Sequence, residues 1–135
     1  MTVQPGIRGT SSLRVTENDL AVAMRSGNVP VLATPRLVAL FEEATLNALS
    51  DSLSSDETSV GMRIQIDHLA PSGLGTEIVA SAFLEQVEGQ RLTFNAEATT
   101  HAGSKKITLA SATIVRVVVK TDAFLERTDS IKKPN

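Results

Sequence analysis

The 135-residue sequence contains no cysteine, no tryptophan and no tyrosine. The absence of cysteine excludes disulfide bonds, thiolate metal ligands and a cysteine nucleophile. Two histidines remain for any imidazole chemistry. They are distant in sequence, with no HExxH motif or clustered carboxylates beside them, so we predict no metal site. Four phenylalanines are the only aromatic residues, which indicates an aliphatic core.

The sequence also lacks a strong charge excess and a long apolar run. Its net charge is −2, and the basic residues are scattered, so no stripe of cations is available to follow a phosphate backbone. No segment approaches the roughly 18 consecutive apolar residues of a membrane span, and the first residues lack the apolar core of a secretory signal. We therefore expect a cytoplasmic protein that binds neither nucleic acid nor membrane.

The common phosphate-binding and hydrolase motifs are missing as well. No GxGxxG or Walker sequence is present, so nucleotide phosphates have no loop of those types. No GxSxG sequence is present either, which leaves any acyl-transfer chemistry without the usual hydrolase serine.

The length and composition fit one soluble globular domain. Hydrophobic residues make up 41% and charged residues 21% of the chain, as in ordinary globular proteins. A chain of 135 residues is long enough for one core and short for two. We predict a single domain over residues 1–135, with a flexible arm over about residues 1–10 and a frayed tail over about residues 127–135.

The segment from Val31 to Leu53 has the pattern of one long amphipathic helix. Thr34 and Pro35 are typical of a helix start, because a threonine oxygen at the N-cap accepts from a free N–H and proline fits the first helical position. Glu42 breaks the pattern, since it lies on the apolar side, where an unpaired carboxylate is costly. That apolar side carries Leu37, Val38, Phe41, Ala44, Ala48, Leu49 and Leu53.

Four stretches after this helix alternate between apolar and polar residues, as half-buried strands do. They cover about residues 60–68, 76–87, 91–100 and 107–118, and a short strand over 12–16 precedes the helix. This order predicts an α+β fold in which an antiparallel sheet of about five strands wraps around one long central helix. Such a sheet leaves an edge strand and apolar surface exposed, so we expect a homodimer, or a higher oligomer of dimers.

Two ionisable residues are predicted to point into the same core. Glu42 projects from the helix, and His68 ends the first long strand, on the face that carries Met62, Ile64 and Ile66. The two residues either form a catalytic group or a structural buried pair, or His68 reaches water at the strand end. Thr34 at the helix mouth can also face a bound anion or polarised carbonyl. Gly61 indicates a bulge or a close backbone approach.

Three segments resemble the hot-dog-fold acyl-CoA thioesterases of the fluoroacetyl-CoA thioesterase type: LATPRLVALFEEA, VGMRIQIDHLAPSGLGTEI and GQRLTFNAEA. The resemblance covers about residues 31–118 and includes an ATP-led helix with a glutamate eight positions on, and a His-Leu pair followed by a Pro/Gly turn. It implies the hot-dog fold and the hydrolysis of a small or branched acyl-CoA to the free acid and coenzyme A. Coenzyme A is then part of the substrate, and no separate cofactor is expected.

The resemblance also implies roles for individual residues. Thr34, Glu42 and His68 become the catalytic group, in which Glu42 attacks the acyl carbon or activates water and His68 exchanges protons. Gly61 becomes a backbone donor near the thioester, and Arg116 matches an arginine that is expected to bind the substrate.

This chain departs from the family pattern in two places. The Gly and His that precede the arginine in the family are Ala112 and Ile114 here. The stretch before the helix lacks the aromatic residues associated with fluoroacetyl selectivity, so the resemblance carries no expectation of that specificity.

Two other functions stay open at this point. Hot-dog domains also include acyl-CoA dehydratases and hydratases, which use a histidine with a nearby carboxylate and leave the thioester intact. A non-catalytic dimeric module that binds acyl-CoA is the other alternative. The identity of the product separates all three.

Overall fold

The computed structural model describes residues 2–132, in which five antiparallel strands form one sheet around a long helix. The strands are β1 (Arg8–Arg14), β2 (Glu57–His68), β3 (Glu77–Glu88), β4 (Arg91–Ala102) and β5 (Lys105–Lys120). The helices are a 3₁₀ turn (Glu17–Asp19), α1 (Ala21–Met24), α2 (Thr34–Leu49) and α3 (Thr121–Lys132). The predicted α+β architecture is confirmed, and α2 contacts all five strands.

The strand order in the sheet is β1-β3-β4-β5-β2, and every neighbouring pair is antiparallel. β3, β4 and β5 follow one another through tight turns at Gly89 and Gly103, whose φ angles of 62° and 63° lie in the left-handed region that favours glycine. β1 and β2 are the two edges. The 12-residue β2 therefore has one neighbour strand in the chain and a free row of backbone groups on its other side.

The core lies between the apolar side of α2 and the inner face of the sheet. Most of the predicted helix face is buried, together with two residues that the prediction left out, Leu40 and Thr45. The predicted inner faces of β3 and β4 are likewise buried at Ile78, Ala80, Ala82, Leu84, Leu92, Phe94 and Ala98. None of the helices in residues 2–132 is long and apolar enough to cross a membrane.

The prediction that Thr34 is the N-cap of α2 is wrong. Ala33 occupies that position, with an extended backbone (φ −70°, ψ 138°), and the helix ends at Leu49 rather than Leu53. The reason lies in the preceding segment, because the Ala33 N–H donates to the Asp19 carbonyl at 2.8 Å and holds Ala33 outside the helix. The Thr34 hydroxyl is therefore free for another partner.

The prediction that Met62 shares the inner face of β2 is also wrong, because its side chain is 44% exposed. The register between β2 and β5 shifts between Gly61 and Arg63, so β2 carries one extra residue there. A bulge of this kind changes the phase of the alternation. Ile64, Ile66 and His68 keep their predicted side and are half-buried.

Both ends of the described chain are more regular than predicted. Residues 8–10 belong to β1, which spans Arg8–Arg14 rather than residues 12–16. The Gly6 N–H, before β1, donates to the Leu84 carbonyl at 2.8 Å. Residues 127–132 belong to α3. The rest of the predicted frayed tail, residues 133–135, lies outside the described residues, as does residue 1.

Candidate active site

Thr34 and His68 meet where the N-terminus of α2 approaches the end of β2. Thr34 Oγ1 and His68 Nδ1 are 2.8 Å apart. Thr34 is exposed and His68 half-buried. His68 Nε2 is buried without a hydrogen-bond partner among residues 2–132, so the imidazole has its one side-chain hydrogen bond there at Nδ1. A hydroxyl bonded to an imidazole nitrogen is the arrangement in which a base activates a nucleophile.

An open cavity of about 250 Å³ lies beside this pair, lined by Val31, His68, Leu69, Ala70 and Pro71. Apart from the imidazole, its side chains are apolar. His68 therefore faces a space that suits an apolar group.

Glu42 lies half-way along α2, against the bulge of β2. Arg116 Nη1, on β5, donates to Glu42 Oε2 at 3.1 Å. A Cβ atom at Gly61 would lie 2.7 Å from the same oxygen, so only glycine leaves room for the carboxylate in this orientation. The Glu42 side chain is 39% exposed, and the Arg116 side chain 6%. The cation and the partial exposure together remove the cost expected for an unpaired carboxylate on an apolar face.

Arg116 is itself fixed by Ser59 on β2. Its Nε donates to Ser59 Oγ at 2.9 Å and its Nη2 to the Ser59 carbonyl at 3.0 Å. Burial lowers the pKa of Arg116 from its ordinary value, while Glu42 raises it, and an arginine keeps its charge under such conditions. The sequence analysis did not identify Ser59. Its only signal is its place two residues before Gly61, on the same strand face.

A second open cavity, of about 200 Å³, lies at this group and is lined by Glu42, Gly61, Met62, Arg63, Ile64 and Ile114. It differs from the cavity at His68 in holding a carboxylate. The protomer therefore has two separate polar groups, each beside its own cavity.

Glu42 and His68, which the sequence analysis left open as a structural buried pair, are not paired within one protomer. Glu42 bonds to Arg116 and His68 to Thr34, and no ion pair joins Glu42 to His68 in the part of the chain that the structure describes. Glu42 follows Thr34 by eight residues, roughly 12 Å along a helix at about 1.5 Å per residue. His68 follows Gly61 by seven, roughly 23 Å along a strand at about 3.3 Å per residue.

Asp19 fixes the chain on both sides of Thr34. Its carbonyl accepts from the Ala33 N–H at 2.8 Å, and its Oδ1 accepts from Arg36 Nε at 3.0 Å. Its Oδ2 accepts from the N–H and the hydroxyl of Thr16 at 2.8 and 2.9 Å. Burial raises the pKa of Asp19, but the bonds from Thr16 and Arg36 outweigh it, so the pKa lies below its ordinary value. The sequence analysis did not identify Asp19, although the T-x-x-D spacing from Thr16, typical of a capping box, is a signal that could have found it.

Within residues 2–132, no group of three or more histidine, aspartate and glutamate side chains is placed to hold a metal ion. The chemistry of the two groups is that of a hydroxyl, an imidazole and a carboxylate. Such residues serve acyl transfer and proton transfer.

Known structures define the fold class. A hot-dog-like protein from Thermanaerovibrio acidaminovorans superposes with a TM-score of 0.86 at 24% identity, covering 97% of this chain and 94% of that one. The curled sheet around one long helix is therefore the hot-dog fold, as predicted.

The family is defined more narrowly. A family profile described as fluoroacetyl-CoA-specific thioesterase matches residues 15–122. The fluoroacetyl-CoA thioesterase of Streptantibioticus cattleyicolor is 34% identical over 94 residues, which are 70% of this chain and 65% of the relative. A threonine-to-serine variant of the fluoroacetyl-CoA thioesterase FlK, solved with acetyl-CoA, superposes with a TM-score of 0.85 at 26% identity, covering 98% and 100% of the two chains. This chain belongs to the fluoroacetyl-CoA-specific thioesterase family.

Proposed function

We propose that the protein is an acyl-CoA thioesterase that hydrolyses a small or branched acyl-CoA to the free acid and coenzyme A. The observation that carries the proposal is the 2.8 Å contact between Thr34 Oγ1 and His68 Nδ1 at the mouth of α2. Membership of a thioesterase family supports the substrate class. The acetyl-CoA complex of the threonine variant in the relative supports a role for Thr34.

The proposed reaction begins with Thr34 Oγ1 attacking the thioester carbon while its proton passes to His68 Nδ1. The carbonyl oxygen becomes an oxyanion, for which the proposed donor is the N–H of Gly61 of the partner subunit, at the bulge of β2, in the dimer described below. The C–S bond then breaks. A thiol with a pKa of about 8.5 departs readily as the thiolate, so the leaving group needs little assistance. In the second half of the reaction, Glu42 of the partner subunit, held by the partner's Arg116, takes a proton from water, and the resulting hydroxide attacks the carbon of the acyl-threonine ester. The acyl C–O bond then breaks, and His68 returns its proton to Thr34 Oγ1.

The first test is thiol release from a panel of acyl-CoA substrates, followed with a thiol-reactive dye. The chain contains no cysteine, so the whole signal comes from coenzyme A. Thr34→Val and His68→Ala should lower kcat by roughly 10²-fold or more, the usual scale for such groups, while Thr34→Ser keeps the hydroxyl and most of the rate. Silence across the panel would contradict hydrolysis, and a modified acyl group on an intact thioester would identify a hydratase.

We propose further that two protomers pair through β2, antiparallel about a two-fold axis at Gln65. Residues equally far from Gln65 then face each other, so that Arg63 meets Asp67 of the partner subunit and Ile64 meets the partner's Ile66. Opposite charges thus meet at Arg63 and Asp67, and two apolar side chains meet at Ile64 and Ile66. Arg63 and Asp67 form no ion pair within the described protomer, residues 2–132, which leaves both available across the axis.

In the same register, the Thr34 and His68 group of one protomer and the Glu42 group of the other combine into one composite site. It places the bulge of one protomer, with Gly61 and Glu42, opposite His68 of the partner subunit. The cavity at Glu42 then joins the cavity beside Thr34 and His68 of the partner subunit. The dimer has two such sites, and each needs both protomers.

Complementation tests this arrangement. Glu42→Gln and His68→Ala, each inactive alone, are co-expressed with different tags. Each mixed dimer then has one intact site, and random assembly gives about a quarter of the wild-type activity. A mixture of Thr34→Val with His68→Ala is the control, because both changes fall in the same half-site and no recovery is expected. Absence of recovery in both mixtures would mean that one protomer holds the whole site.

A further inference from the structure

We propose that Ser59 is a positioning residue that orients the guanidinium of Arg116 toward Glu42, an inference that rests on the proposed thioesterase function. Ser59 and Arg116 are 6% and 5% exposed, so their contacts form away from water. Among residues 2–132, the Arg116 side chain donates three hydrogen bonds: two to the hydroxyl and carbonyl oxygens of Ser59 and the third to Glu42. The serine thus fixes the plane of the guanidinium.

The orientation of Glu42 depends on that plane. Glu42 is 39% exposed, and its carboxylate takes its one hydrogen bond among residues 2–132 from Arg116 Nη1. Because a guanidinium is a rigid planar fork, anchoring Nε and Nη2 determines where Nη1 points. Ser59 therefore directs Nη1 at Glu42 Oε2.

β2 supplies both boundaries of the space that the carboxylate occupies. Gly61, two residues after Ser59, has no side chain where Glu42 Oε2 lies. Ser59 anchors the arginine, and the missing side chain of Gly61 leaves room beside the contact between Arg116 Nη1 and Glu42 Oε2, which would lie 3.7 and 2.7 Å from a Cβ atom there. A carboxylate held between these two positions is pre-oriented toward the cavity, as a base for the attacking water requires.

Loss of the Ser59 hydroxyl would leave Arg116 Nε buried without its acceptor. A buried donor without a partner is costly, so the guanidinium rotates toward other acceptors and carries Nη1 away from Glu42. Neither Ser59 nor Arg116 lines the cavity at Glu42, so the contacts that bind the substrate there should not change, and the substrate-binding role expected for Arg116 is replaced here by the positioning of Glu42. We therefore expect an effect on kcat and little effect on KM.

The experiment compares Ser59→Ala, Ser59→Val and Ser59→Thr with wild type in the thiol-release assay. Valine and threonine have the same shape and differ in the hydroxyl. The alanine and valine variants should lose about tenfold in kcat with KM within about twofold, and threonine should recover most of it. Ser72→Ala is the control, because Ser72 is also buried, at 4% exposure, and its hydroxyl has no partner among the described residues.

A double-mutant cycle with Arg116→Lys tests whether Ser59 acts through the arginine. Lysine keeps the charge but lacks the fork, so Ser59→Ala should add little further loss of kcat in that background. Additive losses would overturn the inference, as would wild-type kcat in Ser59→Ala or equal losses in the threonine and valine variants. If Ser59→Ala melts below the assay temperature, the threonine and valine pair decides. Wild type that releases no thiol would overturn the proposed function, and this inference with it.

Discussion

Glu42 shows what single residues reveal about this site and what they conceal. Its place on an apolar helix face is visible in the sequence, and so is the polar end of β2 at His68. Their actual partners, Arg116 and Thr34, are not, because periodicity gives the face of a residue and not its contacts across the fold. Ser59 was missed for the same reason, since it lies 57 positions from Arg116.

A substitution at Gly61 tests whether the orientation of the Glu42 carboxylate matters for activity. Gly61→Ala would place a Cβ 2.7 Å from Glu42 Oε2, and the flexible end of that side chain can move aside. We expect a loss of activity of about tenfold or more because the carboxylate leaves its orientation. The free energy of unfolding should change by less than about 1 kcal/mol, measured by urea denaturation. In a Glu42→Gln background the alanine should cause little further loss of activity, and a large further loss would contradict the explanation.

The lowered pKa of Asp19 predicts how the free energy of unfolding depends on pH. Burial raises its pKa, but the Thr16 and Arg36 bonds outweigh this and lower it below the ordinary value of 3.8. Its stabilising effect is therefore complete above about pH 4 and disappears as the pH falls through the lower, folded-state pKa. Asp19→Asn should lose about 2 kcal/mol of unfolding free energy at pH 7, and the difference from wild type should shrink toward pH 3. Asp51→Asn, at an exposed position, is the control, and a pH-independent difference would contradict the assignment.

The elements were predicted well where periodicity alone decides them. The sequences of α2, β3 and β4 each have a clear apolar face, and most of the residues buried in the structure lie on that face. The prediction failed where contacts with another element decide the local structure. The first residue of α2 depends on the hydrogen bond between Ala33 and Asp19. The exposure of Met62 depends on the bulge in the pairing of β2 with β5. Gly61 marked that bulge in the sequence, but its effect on the alternation needs the partner strand.

The approach of β1 to α2 gives a prediction about elements. A Cβ at Gly9 would lie 2.2 Å from the Ala48 backbone nitrogen and 2.3 Å from the Ala44 carbonyl oxygen. Backbone atoms inside a helix cannot move aside, so Gly9→Ala must separate the strand from the helix. We expect a loss of at least about 3 kcal/mol in unfolding free energy. Gly73→Ala, with no atom within 4 Å, should be nearly neutral, and an equally mild Gly9→Ala would contradict the close packing.

At the scale of the whole molecule, the two separate polar groups bear on the oligomeric state that we propose. The sequence argument rested on an exposed edge strand and uncovered apolar surface, and β2 is one of the two edge strands of the sheet. The separation of Glu42 from His68 along α2 and β2 adds a reason of a different kind. In the composite site that we propose, the catalytic group needs a second copy of the chain, so pairing through β2 would couple association to activity.

Charge reversal across the proposed axis tests that coupling. Arg63→Asp replaces two symmetry-related pairs with Asp67 of the partner subunit by opposed carboxylates. The dimer should weaken by about 1–2 kcal/mol, roughly five- to thirtyfold in dissociation constant, and activity should fall in parallel on dilution. Combining Arg63→Asp with Asp67→Arg restores opposite charges and should restore both properties in sedimentation and thiol-release measurements. Lys106→Asp, which breaks a pair with Glu97 within one protomer, should leave association unchanged, and failure of the double reversal to recover would place the axis elsewhere.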